Sequence, residues 1–234
     1  MVRYTKRMSA LYTQKNKLIQ SLLEDAIIHL KKMSIVKFIE SIDLVVMLGI
    51  NPKKTEQNIR SNVLLPYHNG QKKYIAVFAA GEDAIQAKQA GAEYIGMEDL
   101  AAKISTRIII KKINTVIATP DTMHIVSKLG TILGPKGLMP NPKLGTITNK
   151  VYDTIINIKK GQVNFRNDKN GIIHISIGKI NFDNNIIKQN ILFFLKTIKK
   201  NKPNNIKGNF IHKIYLSTTM GIAIDITTDY LNNY

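Results

Sequence analysis

Hydrophobic and polar positions follow different rhythms in the middle of this 234-residue chain and at its two ends. In the middle, short apolar runs alternate with stretches of helical period. Tyr74 to Ala80 reads as a strand, followed by Gly81 and a helix over Glu82 to Ala90. Tyr94-Ile95, a helix near Glu98 to Ile104, the buried-strand run Thr115-Val116-Ile117-Ala118 and a helix near Met123 to Leu129 continue the alternation. Strands separated by helices of that length predict a parallel sheet with crossover helices, so 67–158 reads as a small Rossmann-like unit.

The flanks lack that alternation. Ser21-Leu22-Leu23-Glu24 has the spacing of a capping box opening a helix to about Lys32, with Leu23, Ile27 and Leu30 on one face. A strand follows at Ile42 to Leu48. Gln162 to Arg166 and Ile172 to Ile177 enclose the turn-rich Asn167-Asp168-Lys169-Asn170-Gly171, which predicts a hairpin. Asp183 or Asn184 opens a helix with Ile187, Ile191, Phe194 and Ile198 at helical spacing, stopped before Pro203. Ile211 to Ser217 and Ile222 to Ile226 read as two strands around Thr218-Thr219-Met220-Gly221. Neither flank alone holds enough strands for a stable sheet. The fold expected is therefore mixed α/β and α+β. A discontinuous α+β domain of 1–66 plus 159–234 would carry the Rossmann-like α/β domain 67–158 as an insertion.

Charge sharpens this division. The chain carries 34 lysines and arginines against 16 acids, a net +18. A surplus of that size points to a polyanion, because each phosphate neutralised releases condensed counterions. Part of it reflects a composition heavy in Ile, Lys and Asn. Such a bias spreads lysine evenly, however, and here the spread is uneven: 67–158 holds 11 basic and 7 acidic residues, leaving 23 and 9 in the flanks. The binding face is expected in the domain built from both ends.

Several chemistries are disfavoured. Cysteine is absent, which removes disulfides, thiolate nucleophiles and zinc fingers. Five histidines (His29, His68, His124, His174, His212) lack metal-ligand spacing, and no carboxylate pair is set for acid–base work. Gly81-Glu82-Asp83 after the first middle strand is no dinucleotide fingerprint, since two carboxylates at that helix start repel a pyrophosphate. Neither a catalytic residue nor a cofactor is expected. The basic N-terminus leads into no uninterrupted apolar core, and runs such as Ile42 to Ile50 are too short to cross a bilayer. A cytoplasmic protein with no membrane partner is the expectation.

The most distinctive run is Gly130-Thr131-Ile132-Leu133-Gly134-Pro135-Lys136-Gly137-Leu138-Met139-Pro140-Asn141-Pro142-Lys143-Leu144-Gly145-Thr146, stiff, irregular and basic. It lacks the spacing of a nucleotide phosphate loop. It resembles instead the signature of the L-one family of large-subunit ribosomal proteins, bacterial type. The resemblance covers nearly the whole chain, taking in Leu48-Gly49-Ile50-Asn51-Pro52-Lys53-Lys54, Glu56-Gln57-Asn58-Ile59-Arg60 and Gly91-Ala92-Glu93-Tyr94-Ile95-Gly96. Gly161-Gln162-Val163, Arg166-Asn167-Asp168-Lys169 and Ser217-Thr218-Thr219-Met220-Gly221 complete it. After Gly221 the chain is about one residue shorter than the family pattern.

That resemblance implies a non-enzymatic protein bound to large-subunit rRNA on the mobile stalk near the exit site. It implies help in releasing deacylated exit-site tRNA, repression of its own mRNA through the same face, contact with other ribosomal components, and a monomer when free. It carries an RNA-binding role onto Lys37, Phe38, Ser41, Asp168, Lys169, Ser217, Thr218, Thr219, Met220 and Gly221. Hydroxyls suit ribose 2′-OH groups and phosphates, Gly221 allows close backbone approach, and Phe38 and Met220 offer apolar contacts. Arg166, Lys159 and Lys160 would attract phosphate. The duller readings are core packing for Phe38 and Met220 and a self-bonded turn for Asp168. The competing function is a small-molecule α/β enzyme with a basic accessory domain.

Overall fold

The computed structural model describes residues 5–15, 21–106, 108–203, 206 and 208–227. The expectation about the extreme N-terminus, Met1 to Tyr4, lies outside the described residues. In chain order the elements are α1 (Lys6–Lys15), α2 (Leu23–Met33), β1 (Ser41–Leu48), β2 (Arg60–Leu64), β3 (Ile75–Phe78), α3 (Gly81–Gln89), β4 (Tyr94–Gly96), α4 (Glu98–Ser105), β5 (Thr115–Ala118), α5 (Met123–Lys128), α6 (Gly130–Leu133), α7 (Val151–Lys160), β6 (Gln162–Arg166), β7 (Ile172–Lys179), α8 (Asn184–Lys200), β8 (Ile211–Thr218) and β9 (Ile224–Ile226). Two compact units result, one of 1–70 with 165–234 and one of 71–164.

The two-ended unit is built on an antiparallel sheet in the order β7-β1-β8-β9. Its central strand β1 alternates strictly. Ile42, Leu44, Val46 and Leu48 of β1 turn inward and are at most 5% exposed, while the residues between them are half-buried. Such a period of two buries one face, and here two amphipathic helices cover it. α2 contributes Leu23, Ala26, Ile27 and Leu30, and α8 contributes Ile187, Ile191, Phe194, Leu195 and Ile198. Phe194 meets Phe165 edge to face with ring centres 5.2 Å apart. Asn190 is a polar member of this core. Fully buried, it accepts the Tyr67 N–H and donates to the carbonyls of Tyr67 and Ile177, so every part of the amide is used.

The middle unit holds a parallel sheet in the order β4-β3-β5. Every residue of β3 is buried, as a central parallel strand covered on both faces requires. Ala76, Phe78, Val116 and Ala118 face a layer from α4, α5, α6 and the turn near Ile110 and Ile113. Ile75, Val77 and Ile117 face α3 and α7 instead, through Ala87, Val151, Ile155 and Ile158. This is the α/β and α+β mixture that the hydrophobic rhythm predicts.

Three local expectations need correction. No capping box opens α2: the cap position is Leu22, with no side-chain bond, and Ser21 bridges Ile226 instead. Asp183 caps α8 by position but likewise makes no side-chain capping bond. The expected hairpin between Gln162–Arg166 and Ile172–Ile177 does not form as a ladder, because β7 pairs with β1. Between the two runs the described backbone links are the Asn167–Ile173 bridge and the Asp168 N–H donated to Ile172 O at 2.8 Å.

Candidate nucleic-acid interface

At the start of β1 the chain bends through Lys37 and Phe38, both exposed, and then buries Glu40 at 1% exposure. A buried carboxylate must be hydrogen-bonded to be tolerated. One oxygen of Glu40 accepts the Ser34 hydroxyl, and the other accepts the backbone N–H of Met220 at 2.7 Å. Beside it, Thr219 N–H donates to Ser41 O at 3.2 Å and Ser41 N–H donates to Thr219 Oγ1 at 3.1 Å. Lys179 Nζ donates to Ser41 Oγ at 2.9 Å, and Arg7 Nη2 donates to Met220 O at 3.3 Å. Two segments 180 residues apart are thereby fixed as one surface.

The turn after β8 explains its glycine. Gly221 N–H closes onto Thr218 O at 3.1 Å, and a Cβ on Gly221 would sit 2.3 Å from Thr218 Oγ1. Any side chain there would have to displace the Thr218 hydroxyl or open the turn. Thr218 itself occupies an inward position of β8 and is 5% exposed. This corrects its reading as a surface hydroxyl: it supports the turn from beneath. Thr219 and Met220 are exposed, Met220 at 46%, and Phe38 at 52%. Phe38 and Met220 therefore are not core residues. Ile35 and Ile39, at 72% and 57%, extend the apolar character of the bend.

Ser217 lies on the outward side of β8 opposite Asp43, which also pairs with Ser176 of β7. Burial pushes the Asp43 carboxyl above the usual carboxylate range, opposed by the Ser176 hydroxyl and by Lys179 and His174.

Arg166, Asp168 and Lys169 belong elsewhere. They adjoin Ile172, which pairs with Met47 near the far end of β1, about 20 Å from Ser41 at roughly 3.3 Å per residue. Asp168 is mainly a turn organiser. Its Oδ1 accepts the N–H groups of Asn170 and Ile172, both at 2.8 Å, and Oδ2 lies 4.0 Å from His174 Nε2. The Ile172 N–H chiefly, then that of Asn170 and the nearby His174, hold its carboxyl below the ordinary range. Asn167 stitches the neighbouring segment on, accepting the Ile59 N–H at 2.7 Å and donating to Asn58 Oδ1 at 3.0 Å. Arg166 and Lys169 are exposed there, as are Lys53 and Lys54. Lys159 is not part of either cluster. Within the middle unit its ammonium donates to Gly91 O and stands 3.9 Å from Glu93.

Thus Lys37, Phe38, Ser41, Thr219, Met220 and Gly221 come together, with Ser217 one register step inward and Thr218 beneath. Sequence reasoning missed Glu40, Arg7 and Lys179. A lone Glu before a strand carries no pattern that reveals its burial. Among the described residues no group of three or more His, Cys, Asp or Glu side chains is placed to hold a metal ion. No helix of the described residues is long and apolar enough to cross a membrane. The exposed cluster combines cations, a hydroxyl, a glycine turn without a side chain to block approach, and apolar side chains, a set suited to ribose, phosphate and base together.

Comparison with known proteins gives a consistent picture. The model of the Ribosomal protein L1p/L10e family matches residues 30–222. A Large ribosomal subunit protein uL1 from Buchnera aphidicola subsp. Baizongia pistaciae is 48% identical over 233 residues, covering 100% of this chain and 99% of that one. The uL1 of Buchnera aphidicola subsp. Acyrthosiphon pisum (strain APS) is 52% identical over 224 residues, 96% of each chain. That of Proteus mirabilis is 46% identical over 226 residues, covering 97% of this chain and 96% of its own.

Proposed function

The chain belongs to the Ribosomal protein L1p/L10e family, and from that premise we propose that its two-ended unit grips large-subunit rRNA through the surface at the start of β1. It is a non-enzymatic, structural constituent of the large ribosomal subunit and works in the cytoplasm. The division of labour follows the sequence reading of 1–66 with 159–234 as the rRNA-binding domain and 67–158 as an insertion, with the boundaries moved to those of the two compact units, so that Lys159 falls in the middle one. One observation carries the proposal most directly. Glu40 and Ser41 tie the Lys37–Phe38 bend to the Thr219–Gly221 turn, so residues far apart in sequence form one exposed surface. In this reading Thr219 and Gly221 approach ribose and phosphate, Phe38 and Met220 pack on a base or sugar, and Lys37, Lys179 and Arg7 neutralise phosphates. Arg166, Lys169, Lys53 and Lys54 form a separate basic end that takes further phosphates.

Two roles build on this grip. The protein would help release deacylated tRNA from the exit site, and it would repress its own mRNA where a transcript segment imitates the rRNA site. The test is binding of the full-length protein to large-subunit rRNA fragments, with nuclease protection to find the fragment held. Met220→Ala is expected to weaken that binding by about tenfold, the equivalent of about 1.4 kcal/mol. Affinity is also expected to fall steeply with salt. Unchanged affinity in Met220→Ala together with a flat salt response would refute the proposal.

A further inference from the structure

The middle unit's modest net charge conceals a strong internal asymmetry. Residues 71–99 carry three basic and five acidic side chains, whereas 100–150 carry eight basic and one acidic, Asp121. A composition rich in lysine does not produce that contrast within one small unit. Most of the basic half lies in the layer on one face of the parallel sheet, built from α4, α5, α6 and the turn through Ile110, where Glu98 and Asp99 at the start of α4 add two acids. Glu82 and Asp83 belong to α3, which packs on the other face. Lys111, Lys112, Lys128, Lys136 and Lys143 are exposed, and among the described residues none has a carboxylate at salt-bridge distance.

A groove of about 340 Å³ opens in this basic layer, lined by Ile110, Lys111, Thr131, Ile132, Pro135 and Lys136. Its volume falls within the range of about 300–1,000 Å³ typical of small-ligand sites. Its apolar lining comes from Ile110, Ile132 and Pro135, and the exposed lysines Lys111 and Lys136 line it as well. Beside it the chain is bare. Gly130 has an ordinary negative φ, and a Cβ there would meet nothing within 4 Å, so no contact inside the protein explains its glycine. Gly137 is different, since its φ of 69° itself calls for glycine.

From these features we propose that this groove is a second RNA site, holding one splayed nucleotide of a single-stranded segment. The base lies on the Ile110–Ile132–Pro135 floor, the flanking phosphates reach Lys111 and Lys136, and the strand passes close to the backbone at Gly130. A concave floor receives an unstacked base, whereas the stacked bases of an A-form duplex cannot enter it. The unpaired lysines select a polyanion over a neutral partner. The site is independent of the surface at the start of β1, so either assignment can fail alone.

The experiment uses the full-length protein and a short oligouridylate carrying 4-thiouridine, with photo-cross-linked peptides mapped by mass spectrometry. Cross-links are expected in 108–113 and 130–137. They should be lost in the Lys111→Ala/Lys136→Ala double variant and retained in Met220→Ala. The slope of log affinity against log salt should shrink by about 1.4 in the double variant, at about 0.7 per phosphate contact on a single strand. Gly130→Val leaves every charge in place and should weaken binding severalfold. Cross-links confined to the two-ended unit, or an unchanged salt slope in a folded double variant, would overturn the proposal. So would stronger competition by a polyglutamate peptide than by unlabelled oligouridylate, which would assign the groove to an acidic protein segment.

Discussion

Glu40 offers the most discriminating test of how the interface is held, because it contacts no solvent yet orients the residues that do. Glu40→Ala removes the acceptor of both the Ser34 hydroxyl and the Met220 N–H. A hydrogen bond to a charged group contributes about 1.5–3 kcal/mol. Two effects reduce the sum: the mutation relieves a buried carboxylate, and Met220 lies near enough to solvent for water to satisfy the freed N–H. A net loss of about 2–4 kcal/mol in stability is expected. Glu40→Gln keeps an acceptor for Met220, and its amide can donate to Ser34 Oγ, so the loss should be about 1 kcal/mol. RNA affinity should fall in Glu40→Ala even after correction for the folded fraction. Freeing the turn restores backbone entropy worth about 1–2 kcal/mol for each residue that binding must reorder. With part of Thr219, Met220 and Gly221 released, a loss of about tenfold or more follows. Urea unfolding followed by two spectroscopic probes measures the first quantity, and titration against the protected rRNA fragment measures the second. If Glu40→Ala unfolds within about 0.5 kcal/mol of the parent and binds RNA equally well, the carboxylate does not organise this surface.

Ile191→Ala, fully buried on α8, should cost about 2–5 kcal/mol of stability with affinity per folded molecule unchanged, whereas Met220→Ala should do the reverse; thermal melts and binding titrations on both variants separate site from scaffold. Asp43→Asn should stabilise the protein at neutral pH. Because burial raises the folded carboxyl above its unfolded value, Asp43 favours folding only while protonated, and that contribution is lost as pH rises through the folded pKa; the advantage of Asn should therefore vanish on acidification below the ordinary carboxylate range, as read by denaturant midpoints across pH. Lys73, whose ammonium donates to Gln162 O, is lowered by burial to about 8, so NMR of ¹⁵N-labelled lysine should show one titration near that pH, and stability should rise between pH 8 and the unfolded lysine value near 10.5.

What the sequence made legible was periodicity, and where periodicity failed the reasons are specific. β5 was readable because Thr115 to Ala118 is a β-branched run bounded by polar residues, and α8 because Ile187, Ile191, Phe194 and Ile198 trace one stripe. The hairpin expectation went astray because a turn signal at Asn167–Gly171 specifies a reversal but not a partner. β7 is apolar at Ile173, Ile175 and Ile177, and it buries more by pairing with β1 than it would beside β6, where Asn164 and Arg166 are exposed. The helix α7 escaped notice because Val151 to Lys160 has its apolar residues at Val151, Ile155 and Ile158, a stripe obscured by Ile156 between them.

The interface divides along a similar line. Met220 and Phe38, proposed as contacts through their own chemistry and exposure, were named by the family resemblance, since read alone both suited core packing. Roles that depend on what lies across the fold were not legible in that way. Thr218 and Thr219 are adjacent and chemically identical, yet strand alternation turns the first beneath Gly221 and leaves the second exposed. Glu40 carries a charge that composition assigns to the surface, and the Met220 N–H, 180 residues away, joins the nearby Ser34 hydroxyl in giving it a reason to be buried. The proposed binding surface, assembled from both chain ends, therefore has two kinds of specification. The contacting groups are written locally, while the groups that fix their geometry are written in register between strands. Substitutions of the first kind should alter affinity while leaving the melt in place. Those of the second kind should move both together, and Glu40→Ala set beside Met220→Ala measures that difference directly.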